Sequence, residues 1–274
     1  MTLKTRNSLI KLFFIFSLVC IALTLVCLSI ALITKNIVPP VNLRLPEFLL
    51  FIPFSQYNLI ATLVSTGIMM LYVPIMLLLL MRYFENTQST EIIFFSGAVI
   101  GCLCEGMRFL ILLFGLWQSY SQLLFFIGRI VLAGRLLVPL SFFAAATMSE
   151  TSQRQNVERN ATVLLGLSVV IAITMPLNTA QVTTTGMIVT GFAQVFTIVR
   201  VLIFLVTLAS FFINARRHDS IELTKITIDY AILMIGYGCL LIADNFLFMG
   251  IGTAALGIGT AYFLRNLHRL YMWK

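Results

Sequence analysis

Apolar residues run along this chain in long unbroken blocks, with short polar breaks between them and no strict alternation. The blocks predict eight helical spans, at 10–34, 59–81, 92–117, 122–147, 161–177, 187–213, 228–249 and 251–268. About 20 apolar residues cross the hydrocarbon of a bilayer, which matches the block length. No water reaches backbone N–H and C=O groups there, so they must bond within the segment, as in a helix. A transmembrane barrel needs alternating apolar and polar positions, which these blocks lack. The expected fold is therefore all-α, a polytopic membrane bundle of eight helices. It forms one domain over residues 1–274 with no soluble domain.

The breaks carry their own signals. The longest is the outer loop from Lys35 to Asn58, punctuated by Pro39, Pro40, Pro46 and Pro53. Residues 47–52 within it read as a short greasy helix with Pro46 at its first position, lying at the interface or dipping over the outer mouth of the bundle. Pro74 and Pro139 fall inside spans two and four and are expected to kink them. The last span repeats Gly-Ile-Gly-Thr-Ala at 250 and again at 257. Thr253, Gly257 and Ala261, four apart, are expected to form a ridge on which another helix packs closely. The same letters match the G-x-G-x-x-G/A fingerprint, but no strand precedes them, so helix packing is the better account.

Composition agrees with the pattern. The chain is 60% hydrophobic and only 10% charged, with a mean hydropathy of +1.02. Soluble domains average about 25% charged residues, so a water-exposed globule is excluded. The net charge of +8 does not point to nucleic acid, because the basic residues are scattered among spans rather than gathered in a patch. They report topology instead. With the N-terminus cytoplasmic, the inside segments hold twelve Lys and Arg and the outside loops only Lys35 and Arg44. That asymmetry places both termini in the cytoplasm and the chain in the cell (inner or plasma) membrane. The basic start resembles a secretory signal, but its apolar run exceeds a signal core, so it reads as an uncleaved first span. Cys20, Cys27, Cys102, Cys104 and Cys239 all fall in spans and read as small apolar residues.

Six ionisable residues lie where lipid should be: Glu105, Arg108, Arg129, Arg135, Arg200 and Asp244. A charge near the bilayer centre costs at least about 2.5–3.5 kcal/mol, so each must face protein, water or a partner. Glu105 follows Gly97 and Gly101 at intervals of four, on a face that turns toward another helix. Arg108 is three residues on, within reach of a same-helix ion pair that alone would explain both residues. Arg135 is too deep to reach the surface and needs an anionic partner; Glu105 is one candidate, but it already has Arg108. Arg129 points elsewhere on the same helix and can snorkel outward. Arg200 belongs to a stripe of Ala193, Thr197, Arg200, Phe204 and Thr207, as expected of a helix lining a cavity. Asp244, with Asn245 beside it and Tyr237 seven residues back, has two readings. It is either a residue of span seven or a turn residue of the outer hairpin.

Four arginines face two carboxylates, and arginine does not shed its proton. The surplus calls for an anion. Spans three, four, six and seven are expected to surround a polar cleft for a carboxylate, a phosphate or a lipid headgroup, gripped by guanidinium forks. Catalytic chemistry is hard to build. Only His218 and His268 occur, both at the cytoplasmic side, so no H-E-x-x-H site exists. Asp229 and Asp244, on one helix about 22 Å apart by rise, are too distant to share a proton. The expectation is a non-enzymatic membrane protein with no cofactor, most simply a transporter-like or solute-binding component. A sensory or scaffolding subunit acting through a membrane protein partner is the alternative, and an enzyme on lipid-linked substrates is third. The bilayer and a small anionic solute or lipid headgroup are its expected partners, and nucleic acid is not.

Overall fold

A computed structural model describes residues 3–34, 56–87, 89–116, 122–148 and 157–272. The chain is all-α apart from one small hairpin. Its elements are α1 (Leu3–Thr34), α2 (Leu59–Tyr83), α3 (Thr90–Gly106), α4 (Arg108–Phe114), α5 (Gln122–Thr147) and α6 (Val157–Thr174). There follow β1 (Leu177–Val182), β2 (Ile188–Thr190), α7 (Ala193–Arg217), α8 (Ile221–Leu241) and α9 (Phe246–Met272). With α3 and α4 taken together, eight helices are long and apolar enough to cross a membrane. The segment 47–52, expected to cover the bundle mouth, lies outside the described residues.

Local chemistry sets the helix starts. Asn58 caps α2 by accepting from the Ile60 amide, and Ser89 and Ser220 do the same for α3 and α8. Glu91 and Glu222 follow in the first turns, where a carboxylate favours the positive helix end. Pro74 and Pro139 both sit within continuous helices.

Helices α2, α3, α5, α8 and α9 form the centre, with Phe95, Phe142, Tyr230 and Phe263 packed ring against ring. Helices α1, α6 and α7 are peripheral, and only 17% of each apolar stretch is buried. Their outer faces are aliphatic, including Ile15, Leu23, Val170, Val201 and Leu205. So large a bare apolar surface is untenable in water. At the end of the bundle that holds both chain termini, buried Arg6 donates to the carbonyls of Phe84, Glu85 and Thr87, tying α1 to the α2–α3 turn.

Several expectations need correction. Span three is not continuous: α3 stops at Gly106 and α4 begins at Arg108. The amide of Met107 bonds the Cys104 carbonyl and that of Leu110 bonds Met107, so the helix tightens locally to a three-residue turn. Spans five and six lose their facing ends to the antiparallel β1–β2 hairpin. Span seven ends at Leu241, so Asp244 lies in the connection to α9 and shares no helix with Asp229. The ridge on the last helix is also misplaced by the sequence reading. Gly257 and Ala261 are exposed. Gly252 and Gly259, seven apart, are buried against α8 instead, facing Leu240 and Leu233. Gly236 answers from α8, where an added Cβ would sit 2.2 Å from the Leu256 nitrogen. Buried Tyr72 and Thr260 share a hydrogen bond at 3.0 Å, and Asn266 donates to Asp229 at 2.6 Å.

Candidate functional site

The site begins with a close helix crossing. Gly101 on α3 and Gly134 on α5 meet backbone to backbone: a Cβ at Gly134 would lie 2.6 Å from the Gly101 carbonyl oxygen. The absence of side chains there lets α3 and α5 approach, and one turn farther on Glu105 reaches Arg135 across the gap. Arg135 donates to Glu105 Oε1 through Nε and approaches Oε2 through Nη2 at 3.5 Å. The tight turn at Met107 puts Arg108 over the same carboxylate, with Nε 3.3 Å from Oε2. Glu105 thus serves two arginines, one from its own helix and one from α5. It is fully buried, as is Arg108, whereas the Arg135 side chain keeps 12% of its surface.

Arg108 is otherwise well supplied. Its Nη1 donates to the carbonyls of Leu241 at 3.0 Å and Thr185 at 3.4 Å, and Nη2 to Leu240 at 3.3 Å. Leu240 and Leu241 end α8, where unpaired carbonyls and the negative helix end favour a cation. Thr185 belongs to the hairpin turn. Arg108 therefore joins three separate elements from a position with no exposure, and its role is architectural.

The hairpin reaches down to it. Thr183 to Gly186 form the turn, closed by the Gly186 amide to the Thr183 carbonyl at 3.0 Å. Gly186 has φ +76°, a conformation L side chains rarely adopt, and presses on Leu112. Ile188 is buried against Gly128 of α5. Thr185, Gly186, Met187 and Ile188 are buried, while Asn178, Gln181 and Thr183 are exposed.

Arg200 approaches from α7. Its guanidinium lies 5.1 Å from the Phe196 ring centre and 3.4 Å from Thr197 Oγ1. Its Nε is buried with no acceptor, and no described carboxylate pairs with it. The charges of Arg135 and Glu105 act on it, and Tyr237 on α8 lies nearby. The Tyr237 hydroxyl is buried without a hydrogen bond to any described residue. Arg108 and Arg135 thus share one carboxylate, and Arg200 stands near enough to feel the charges of Arg135 and Glu105, so the three arginines exceed the carboxylate by two charges. The expected stripe on α7 is only partly inward: Arg200, Phe204 and Thr207 turn in, while Ala193 and Thr197 are exposed.

Two of the six candidates lie elsewhere. Arg129 donates to the Ala172 and Ile173 carbonyls at the end of α6 and lies over Phe125 at 4.2 Å. It anchors α6 to α5 and takes no part in the cluster. Asp244, half-buried, accepts from Thr184 Oγ1 at 2.9 Å and from Asn245 at 3.1 Å, while its carbonyl accepts the Asn58 amide. It pins the hairpin turn to the mouth of α2. Beside it, burial first and the Asp244 carboxylate second push the Tyr57 phenol up to about 12, so it stays neutral. Asp244→Ala is expected to free the turn: amide exchange at 183–187 should rise, with a loss of about 1 kcal/mol in overall stability. Unchanged exchange there would show that the turn is held by packing alone.

The sequence reading missed the hairpin and Tyr237's place among the arginines. The hairpin had a signal, in the β-branched run of Thr179, Val182, Thr183, Thr184, Thr185, Ile188, Val189 and Thr190 around Gly186. Comparison with protein families and with curated proteins returned no match.

Proposed function

We propose that this chain is an eight-span protein of the cell membrane, both termini cytoplasmic, that captures an anionic group between α4, α5, α7 and α8. The aliphatic faces of α1, α6 and α7 support insertion, and the twelve-to-two basic asymmetry supports the orientation. The observation that carries the reading is Arg200, a buried-edge guanidinium with no carboxylate of its own, set beside Arg135 and its shared one. Two like charges held together in a low-dielectric setting repel, and a carboxylate or phosphate between them relieves that repulsion. The hairpin turn and Arg108, bonded to each other through the Thr185 carbonyl, close the cluster from the same end.

The role is that of a transporter-like or solute-binding component. The void on the far side of Tyr237, lined by Tyr72, Phe95, Cys102 and Val138 among others, measures only about 10 Å³. A standing aqueous pore finds no support in so small and apolar a space, which favours capture or a carrier over an open channel.

The test is ligand-dependent thermal unfolding of purified protein across carboxylates and phosphates. A bound anion at a hundredfold excess over Kd should add about 2.7 kcal/mol. Arg135→Leu and Arg200→Leu should each remove that gain. Stabilisation that survives both substitutions would end the proposal. Flux of the same anion in liposomes would mark a carrier, and binding without flux a capturing or sensing component.

A further inference from the structure

One turn from Arg200, α5 and α7 part along an open groove of about 300 Å³. Leu140 and Phe143 line it from α5, and Val199, Leu202, Ile203 and Val206 from α7. Every lining side chain is apolar. Val199, Leu202 and Val206 are also among the exposed large hydrophobics, so the groove opens sideways into the surroundings of the bundle. From Val199 to Val206 it runs about 10 Å along the helix. Arg200 stands at the end nearer the hairpin, and Arg135, on the facing helix, precedes Leu140 by five residues toward that same end. Cations at one end and a dry trough leading away from them form an amphipathic site.

We propose that the occupant is an anionic lipid, with its headgroup on Arg200 and Arg135 and an acyl chain in the α5–α7 groove. This rests on the anion-capture reading and names its ligand class. Charge complementarity selects the occupant. A zwitterionic headgroup brings its own cation against two guanidinium groups, and a soluble anion leaves the trough to unrelated lipid tails. Basic pockets between membrane helices hold lipid headgroups by the same physics. The orientation also fits. In the proposed topology the hairpin end is outside, so the cationic end of the groove is its outer end and the acyl chain runs inward from it.

The test compares three probes on the full chain in detergent micelles: phosphatidylglycerol, phosphatidylcholine with the same chains, and inorganic phosphate. Phosphatidylglycerol should raise the unfolding temperature and remain bound through native mass spectrometry, while phosphatidylcholine does neither. Arg200→Gln should weaken phosphatidylglycerol binding by about tenfold or more, the value of one charge-assisted contact. Val199→Trp and Val206→Trp fill the groove from exposed positions, so folding should be unaffected. They should weaken phosphatidylglycerol binding and leave stabilisation by inorganic phosphate intact. Equal binding of the two lipids, or full phosphatidylglycerol binding by the tryptophan variants, overturns the inference. Stabilisation by phosphate with none from phosphatidylglycerol sinks the lipid and spares the anion site. No response to either probe sinks both.

Discussion

Glu105→Gln is expected to lower the unfolding free energy by about 3–5 kcal/mol, the cost of breaking a buried ion pair by removing one partner. The carboxylate has no exposure, and it is the only described acceptor for Arg135 as well as the counter-charge for Arg108. Glutamine keeps the volume and removes the charge, so two guanidinium groups lose their shared anion without a cavity opening. Arg108 cannot relax toward water, because its other donors are fixed on Leu240, Leu241 and Thr185. A thermodynamic cycle sharpens the test. Adding Arg135→Leu to Glu105→Gln should restore part of the loss, since one of the orphaned cations goes with it. If the double variant is less stable than the wild type by the full sum of the two single losses, Glu105 and Arg135 do not act as a unit.

How much of this was legible depends on what each residue costs. Buried arginines and carboxylates stand out against apolar blocks because their insertion penalty demands an explanation. The Gly97, Gly101 and Glu105 spacing gave the face that meets α5, and the structure puts Ser141, Val138 and Gly134 opposite it. Glu105 is legible as a candidate for either arginine but not as shared by both. The sharing depends on the turn at Met107 and on Gly134, whose neighbours three and four residues away, Ile130, Val131, Leu137 and Val138, are all apolar. Asp244 was hidden for a different reason. Apolar residues dominate from Ala231 to Ala243 and resume at Phe246, so two polar residues alone did not move the span boundary that hydropathy set near 249. The break is marked only by Asn245, whose side chain accepts from the Phe248 amide and starts α9 as a cap. The hairpin was passed over because its lack of charge was read as a plain connection, although its β-branched content favours strand.

The second large effect is expected at Gly236. Alanine there puts a methyl group 2.2 Å from the Leu256 nitrogen and 2.7 Å from the Ala255 carbonyl carbon. Both are backbone, so no rotamer change relieves the clash and α8 must move away from α9. Overpacking of this kind costs about 1–3 kcal/mol, occasionally more. The shift also draws the α8 carbonyls from Arg108, so the total should fall at or above the top of that range. Gly257→Ala is the matched control, with nothing within 4 Å of the added carbon. It should be neutral, or gain up to about 1 kcal/mol from better helix propensity. Thermal unfolding of both variants in the same detergent reads the contrast. Equal stability of the two would mean that α8 and α9 do not meet backbone to backbone at Gly236.

The reach of Arg108 has a consequence for biogenesis. Its carbonyl acceptors on α8 lie 132 and 133 residues downstream, and its hairpin acceptor 77. On the proposed membrane reading, this guanidinium enters the bilayer with Glu105 as its nearest counter-charge and waits for most of the remaining polypeptide to be made. Locking of the core is therefore a late event, and nascent chains arrested before residue 240 should remain open to proteolysis around α4.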